Sequence, residues 1–129
     1  QQLPINIRPP APIDLLILGI GTDGHTASLF PDTDWQTRTT ETGFALFKTT
    51  AQPESRFSLT LATIMQAREI IFLVNGGAKS SVIEQIFFAP DFLSPASFVA
   101  RNRAVTWIFD SAAAGSKLVA VLKGRQLLP

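Results

Sequence analysis

A chain of 129 residues suffices for one domain of ordinary size, and its 46% apolar and 16% charged residues exclude disorder, collagen and coiled coil. Eleven basic against ten acidic residues give a net charge of +1, so no polyanion-binding surface of the nucleic-acid kind is expected. The absence of cysteine excludes a disulfide framework and thiolate chemistry and suits a reducing compartment.

Residues 1–12 (QQLPINIRPPAP) are rich in proline and polar residues and read as a connector, with the domain itself over 13–129. Residues 14–21 (DLLILGIG) form a continuous apolar run ending in glycines. That pattern predicts a strand buried on both faces, as in a parallel sheet covered by helices. Residues 22–30 have room for a short helix, stopped by Pro31. A polar loop over 32–42 leads to a short strand at 44–48. Residues 56–61 (RFSLTL) alternate polar and apolar, the mark of a half-buried strand, and a short helix follows through Ile64, Met65 and Ala67. Residues 69–74 (EIIFLV) predict a second buried strand. It runs into Asn75, Gly76 and Gly77 and then a helix with Val82, Ile83, Ile86 and Phe87 on one face.

Two prolines make 89–97 a loop, with Arg101 and Arg103 solvated beyond it. Residues 105–110 (VTWIFD) are a strand with Trp107 in the core. Asp110 at the end of that strand is expected to cap a short helix at 111–114, with a place facing a ligand pocket as the alternative. Phe87, Phe88, Phe92 and Phe98 are expected to serve packing. The pattern of 117–128 fits helix and strand alike. No stretch approaches the roughly 20 apolar residues of a membrane span, and no basic-then-apolar signal segment opens the chain. Strands alternating with helices give an α/β class with a mainly parallel sheet.

The most informative segment is residues 19–31, GIGTDGHTASLFP. It directly follows a strand, and ligands of open parallel sheets bind beyond the carboxyl ends of strands. Taken literally, Gly19-x-Gly21-x-x-Gly24 matches a dinucleotide fingerprint. That reading fails because Pro31 stops the chain before a long helix can form, and Glu41 does not end a second strand. Asp23 and His25, two apart on a looped backbone relaxed by Gly24, can point to the same side. His25 is the sole histidine, and an ordinary imidazole titrates near 6.5, which suits a general base. The bland alternative is a loop histidine beside a capping aspartate. Lys79, just after Gly76 and Gly77 and opening a helix, suits an anion such as phosphate, or is simply a solvated lysine.

Residues 14–31 (DLLILGIGTDGHTASLFP) closely resemble the signature of 6-phosphogluconolactonases, members of a group that includes glucosamine-6-phosphate deaminase. Three further blocks agree in order: RFSLTL at 56–61, IFLVNGGAK at 71–79 and WIFDSAA at 107–113. The resemblance runs from Asp14 to about Leu118. In the deaminase branch a glutamate follows the histidine, where Phe30 stands here, and phenylalanine transfers no proton.

The resemblance implies hydrolysis of 6-phosphogluconolactone to 6-phosphogluconate, without metal or cofactor. It implies His25 and Asp23 as catalytic residues. Gly21, Gly24, Arg56, Gly77 and Lys79 are implied for substrate and phosphate. It further implies a Rossmann-like sheet flanked by helices, the C-terminal part of a larger three-layer domain. Family lactonases are nearly twice this length, and their first half carries a glycine-turn phosphate motif absent here. The implied partners are a phosphorylated sugar lactone and that missing N-terminal half, with no nucleic acid, no membrane and a cytoplasmic location. An isolated half is expected to expose an apolar edge or face. The alternatives are a sugar-phosphate isomerase or deaminase, and a catalytically incomplete sugar-phosphate-binding fragment.

Overall fold

A computed structural model describes residues 12–125; nearly all of the expected connector lies outside the described residues. Three strands form a parallel sheet in the order β1-β4-β5: β1 (Leu15–Leu18), β4 (Glu69–Val74) and β5 (Thr106–Phe109). β2 (Phe44–Lys48) and β3 (Ser55–Leu59) form a separate antiparallel hairpin, with Phe44 opposite Leu59 and Lys48 opposite Ser55. The helices are α1 (Leu61–Gln66), α2 (Ser80–Phe88), α3 (Pro95–Asn102) and α4 (Ser111–Gly124). This is the α/β, Rossmann-like arrangement expected from the alternation of elements.

Register decides which side chains meet. Leu18 pairs with Phe72 and Phe72 with Trp107, so Leu16, Leu18, Ile70, Phe72, Val74, Trp107 and Phe109 share one face. That face belongs to a single core cluster with Val82, Ile83 and Ile86 of α2 and Ala113, Ala114 and Leu118 of α4. Within it Trp107 is half-buried and stacks on Phe72, ring centroids 4.9 Å apart. The opposite face carries Leu15, Ile17, Leu73 and Ile108, which are 48%, 57%, 52% and 50% exposed. β1 and β4 are therefore covered on one face only among the described residues, not on both as their apolar runs predict. The expected exposed apolar face is this one.

Four local expectations need correction. Residues 22–30 form turns, not a helix: Gly24 and Ala27 have φ of +88° and +51°, and the Thr26 hydroxyl donates to the Gly19 carbonyl at 2.8 Å. Residues 95–97 begin α3 and do not belong to a loop. Ser94 is its N-cap in a reciprocal capping box with Ser97, and Pro95 occupies the first turn. Arg101 and Arg103 are tied down. Arg101 donates to the carbonyls of Ile86, Ala89, Pro90 and Phe92, and Arg103 to those of Met65 and Ala67. Phe87 is exposed and leans on Trp107 at 5.0 Å, whereas the other three residues of its expected face are buried.

At the C-terminus α4 bends at Gly115, whose φ is +74°, and continues as helix to Gly124. Asp110 caps it, accepting from the Ala113 amide at 2.8 Å.

Candidate active site

The chain leaves β1 through Gly19, Ile20 and Gly21 and turns back on itself. The Gly24 amide donates to the Gly21 carbonyl at 2.9 Å, and the Gly21 amide to the His25 carbonyl at 2.8 Å. This tight ring sets the imidazole over the Gly21 backbone. A Cβ at Gly21 would lie 2.0 Å from His25 Nδ1 and 2.1 Å from Cε1, so any other residue there would push the imidazole from its place. Gly24 is needed twice over: its φ is positive, and a Cβ there would lie 2.4 Å from Ser94 Oγ.

Asp23 Oδ1 accepts from the His25 backbone amide at 2.9 Å and lies 2.6 Å from His25 Nδ1. An ionised carboxylate only accepts, so the neutral imidazole carries its proton on Nδ1 and keeps the lone pair of Nε2 free. One carboxylate oxygen thus shapes the turn and selects the tautomer.

The imidazole also stacks on Phe30, centroids 4.2 Å apart and planes 29° apart. Phe30 is nearly buried, and the Arg56 guanidinium carbon lies 5.1 Å from its centroid. Arg56, on β3, donates through Nε to the Pro53 carbonyl at 3.1 Å and through Nη2 to the Gln52 carbonyl at 2.6 Å.

Two more contacts fasten this loop to the hairpin. The Ser28 amide donates to Ser58 Oγ at 3.0 Å. Asp32 accepts from the Thr50 amide and from the hydroxyls of Thr49 and Thr50 at 2.7–2.8 Å. These bonds, the Thr50 amide foremost, hold the Asp32 carboxyl below its ordinary pKa of 3.8. A broad depression of about 560 Å³ at this end of the hairpin is lined by the same polar groups with Lys48, Glu54 and Ser55.

A cleft of about 370 Å³ opens beyond the carboxyl end of β1, lined by residues 17–21, His25, Ala27 and Lys79. It lies where an open parallel sheet offers a binding crevice. Lys79 ends a short 3-10 turn (Gly77–Lys79) and stands at the N-cap of α2. It has no ion-pair partner among the described residues. The turn before it needs glycine at Gly76, whose φ is +90° and whose amide donates to Asp110 at 3.1 Å. A Cβ at Gly77 would meet nothing within 4 Å.

The structure therefore brings His25, Gly21 and Lys79 to one cleft. Asp23 stands behind the imidazole, while Gly24, Gly77 and Arg56 lie outside the cleft's lining. The sequence marks Phe30 only as standing where the deaminases have glutamate, and it carries no signal for Asp32 or Ser58. Their partners lie far along the chain, where no local pattern points to them. Among the described residues no group of three or more His, Cys, Asp or Glu is placed to hold a metal ion. No described helix is long and apolar enough to cross a membrane.

A parallel sheet with a histidine turn at the mouth of its first strand defines a class, and comparison with known proteins gives the family. Residues 1–107 match the family of glucosamine-6-phosphate isomerases/6-phosphogluconolactonase. The chain is 38% identical over 113 residues to a 6-phosphogluconolactonase of Haemophilus influenzae, covering 83% of this chain and 47% of that one. It is 36% identical over 102 residues to the rat 6-phosphogluconolactonase, covering 78% and 40%. The crystal structure of 6-phosphogluconolactonase from Leishmania guyanensis superposes with a TM-score of 0.67 at 30% identity, covering 90% of this chain and 46% of that one. The chain belongs to the glucosamine-6-phosphate isomerase/6-phosphogluconolactonase family. It spans less than half the length of these relatives.

Proposed function

We propose that this chain is the C-terminal portion of a 6-phosphogluconolactonase, hydrolysing 6-phosphogluconolactone to 6-phosphogluconate. The observation that carries the reading is the Asp23-oriented imidazole at a cleft shared with Lys79, which has no ion-pair partner among the described residues. A δ-lactone is an activated ester, so a base for water and donors for the oxyanion suffice. His25 Nε2 takes a proton from water as the water oxygen bonds to the lactone carbonyl carbon. The tetrahedral intermediate collapses, the bond to the ring oxygen breaks, and His25 returns the proton to that oxygen. Asp23 holds the tautomer and steadies the imidazolium between the two transfers. Backbone amides from Gly21 to Gly24 are the candidate oxyanion donors.

Lys79, beside Gly77, takes the phosphate; Arg56, outside this cleft and bonded to the Gln52 and Pro53 carbonyls, is not placed to share it. The bare sheet face of Leu15, Ile17, Leu73 and Ile108 is where the N-terminal half of the same domain packs. Phe30 in place of an acid favours the lactonase over the isomerase or deaminase. A second reading, a sugar-phosphate-binding half that is inactive alone, is favoured by the same bare face and by the partial span of the relatives. A chain without cysteine fits the cytoplasm, where this reaction's phosphorylated substrate is expected.

The test is lactone hydrolysis by the full protein and by its His25→Ala variant. Turnover is expected to fall about 10²- to 10⁴-fold, the usual contribution of a general base. Near-normal turnover removes His25 from the mechanism.

A further inference from the structure

The contact between Asp23 and His25 is a single hydrogen bond to one ring nitrogen, and it selects the tautomer only while the ring plane is held. A histidine χ2 is a broad, roughly two-fold torsion, and a swing about it carries Nδ1 off the Asp23 oxygen and frees the proton to sit on either ring nitrogen. A flat neighbour removes this freedom, and Phe30 is that neighbour: its centroid is 4.2 Å from the imidazole, with planes 29° apart. The phenyl ring is itself held. It is nearly buried, the Ser28 amide bonds to β3 on one side, and the Asp32 carboxylate bonds to the hairpin turn on the other. The same ring lies 5.1 Å from the Arg56 guanidinium carbon, and Arg56 is braced by two carbonyls of its own hairpin.

We propose that Phe30 is a positioning residue. It sets the plane of the His25 imidazole so that Nε2 addresses the cleft, and transmits the placement of the β2–β3 hairpin, Arg56 included, to the base. The part concerning turnover rests on the lactonase reading; the part concerning the imidazole does not. Phe30 does more, on this account, than leave out an acid.

The test uses the full chain, labelled with 15N at histidine, with His25→Gln identifying the signal. At about pH 8.5, where an ordinary imidazole is neutral, the ring nitrogens of the wild type should report a single tautomer protonated at Nδ1. In Phe30→Leu, which keeps an apolar side chain but loses the flat face, the two tautomers should average. Phe30→Tyr should keep the wild-type pattern. With 6-phosphogluconolactone, Phe30→Leu should lower kcat about 10- to 100-fold, the scale of a small misplacement of a reacting group. KM should stay within about twofold, and Phe30→Tyr should restore most of kcat.

The proposal is overturned if Phe30→Leu keeps the single tautomer, or if Tyr and Leu are equally impaired. Should Phe30→Leu not fold, Phe30→Met is read in the same way. A mixture of tautomers already in the wild type overturns the proposal without any variant. An absence of lactone turnover in the wild type would count against the lactonase reading alone, because the tautomer measurement needs no substrate.

Discussion

Two glycine turns, each at the carboxyl end of a parallel strand, look alike in sequence and serve opposite ends. After β1, Gly21 and Gly24 are crowded by the protein itself: the imidazole lies against one and Ser94 against the other. After β4, Gly76 needs its positive φ, but a side chain at Gly76 or Gly77 would meet only open space. The first turn uses glycine to bring a side chain close to its own backbone. The second leaves open space beside a lysine, which is where the lactonase reading puts the phosphate.

The contrast breaks most severely at Gly21. Gly21→Ala should displace the imidazole and lower kcat by about 10²-fold or more, as loss of the base would, with the far-UV spectrum retained. Full activity would mean that His25 has no need of its observed position. Lys79→Ala should raise KM about 10- to 100-fold, the worth of a charge-assisted hydrogen bond, with kcat little changed. An unaltered KM for the phosphorylated substrate would discard the phosphate role.

Gly77→Ala sharpens the comparison from the permissive side. Thermal unfolding should show stability unchanged or raised by up to about 1 kcal/mol, while KM rises severalfold where the methyl crowds a phosphate held by Lys79 at the edge of the cleft.

The smallest effect concerns acid. Asp32 has a lower pKa folded than unfolded, so its ion favours the folded state. That contribution is complete well above 3.8 and is lost as pH falls through the lower folded value. Asp32→Asn should therefore flatten this part of the acid limb of a stability-against-pH curve measured by denaturant unfolding. An unchanged acid limb would show that the ties to Thr49 and Thr50 do not matter for folding.

The elements with short-range signals were legible. The run at 14–21 is read as a strand, and Val82, Ile83 and Ile86 mark the buried face of α2. Asp110 is read as a cap because a carboxylate at the end of a strand precedes an alanine-rich turn. The Asp23-x-His25 spacing with glycine between is likewise a local signal, and the pair is in contact. Local signals failed where a residue's partner lies elsewhere. Residues 22–30 carry no proline, yet Gly24 and Thr26 are drawn into turns by contacts with Ser94, Ala96 and Gly19. Arg101 looked solvated because the carbonyls it satisfies belong to the end of α2 and the loop beyond. Asp32 finds Thr49 and Thr50 17 and 18 residues on, beyond any helical or strand period.

Apolar runs, glycine turns and the lone histidine determined by themselves that this is an α/β chain with a glycine-rich loop after its first strand. Those features follow from backbone geometry and side-chain periodicity over a few residues. The tertiary structure alone decided which face of β1 and β4 is covered, that Lys79 shares a cleft with His25, and that Phe30 backs the imidazole. Each of these depends on distant segments meeting in space, and such encounters are set by the packing of the whole domain and leave no period in the chain.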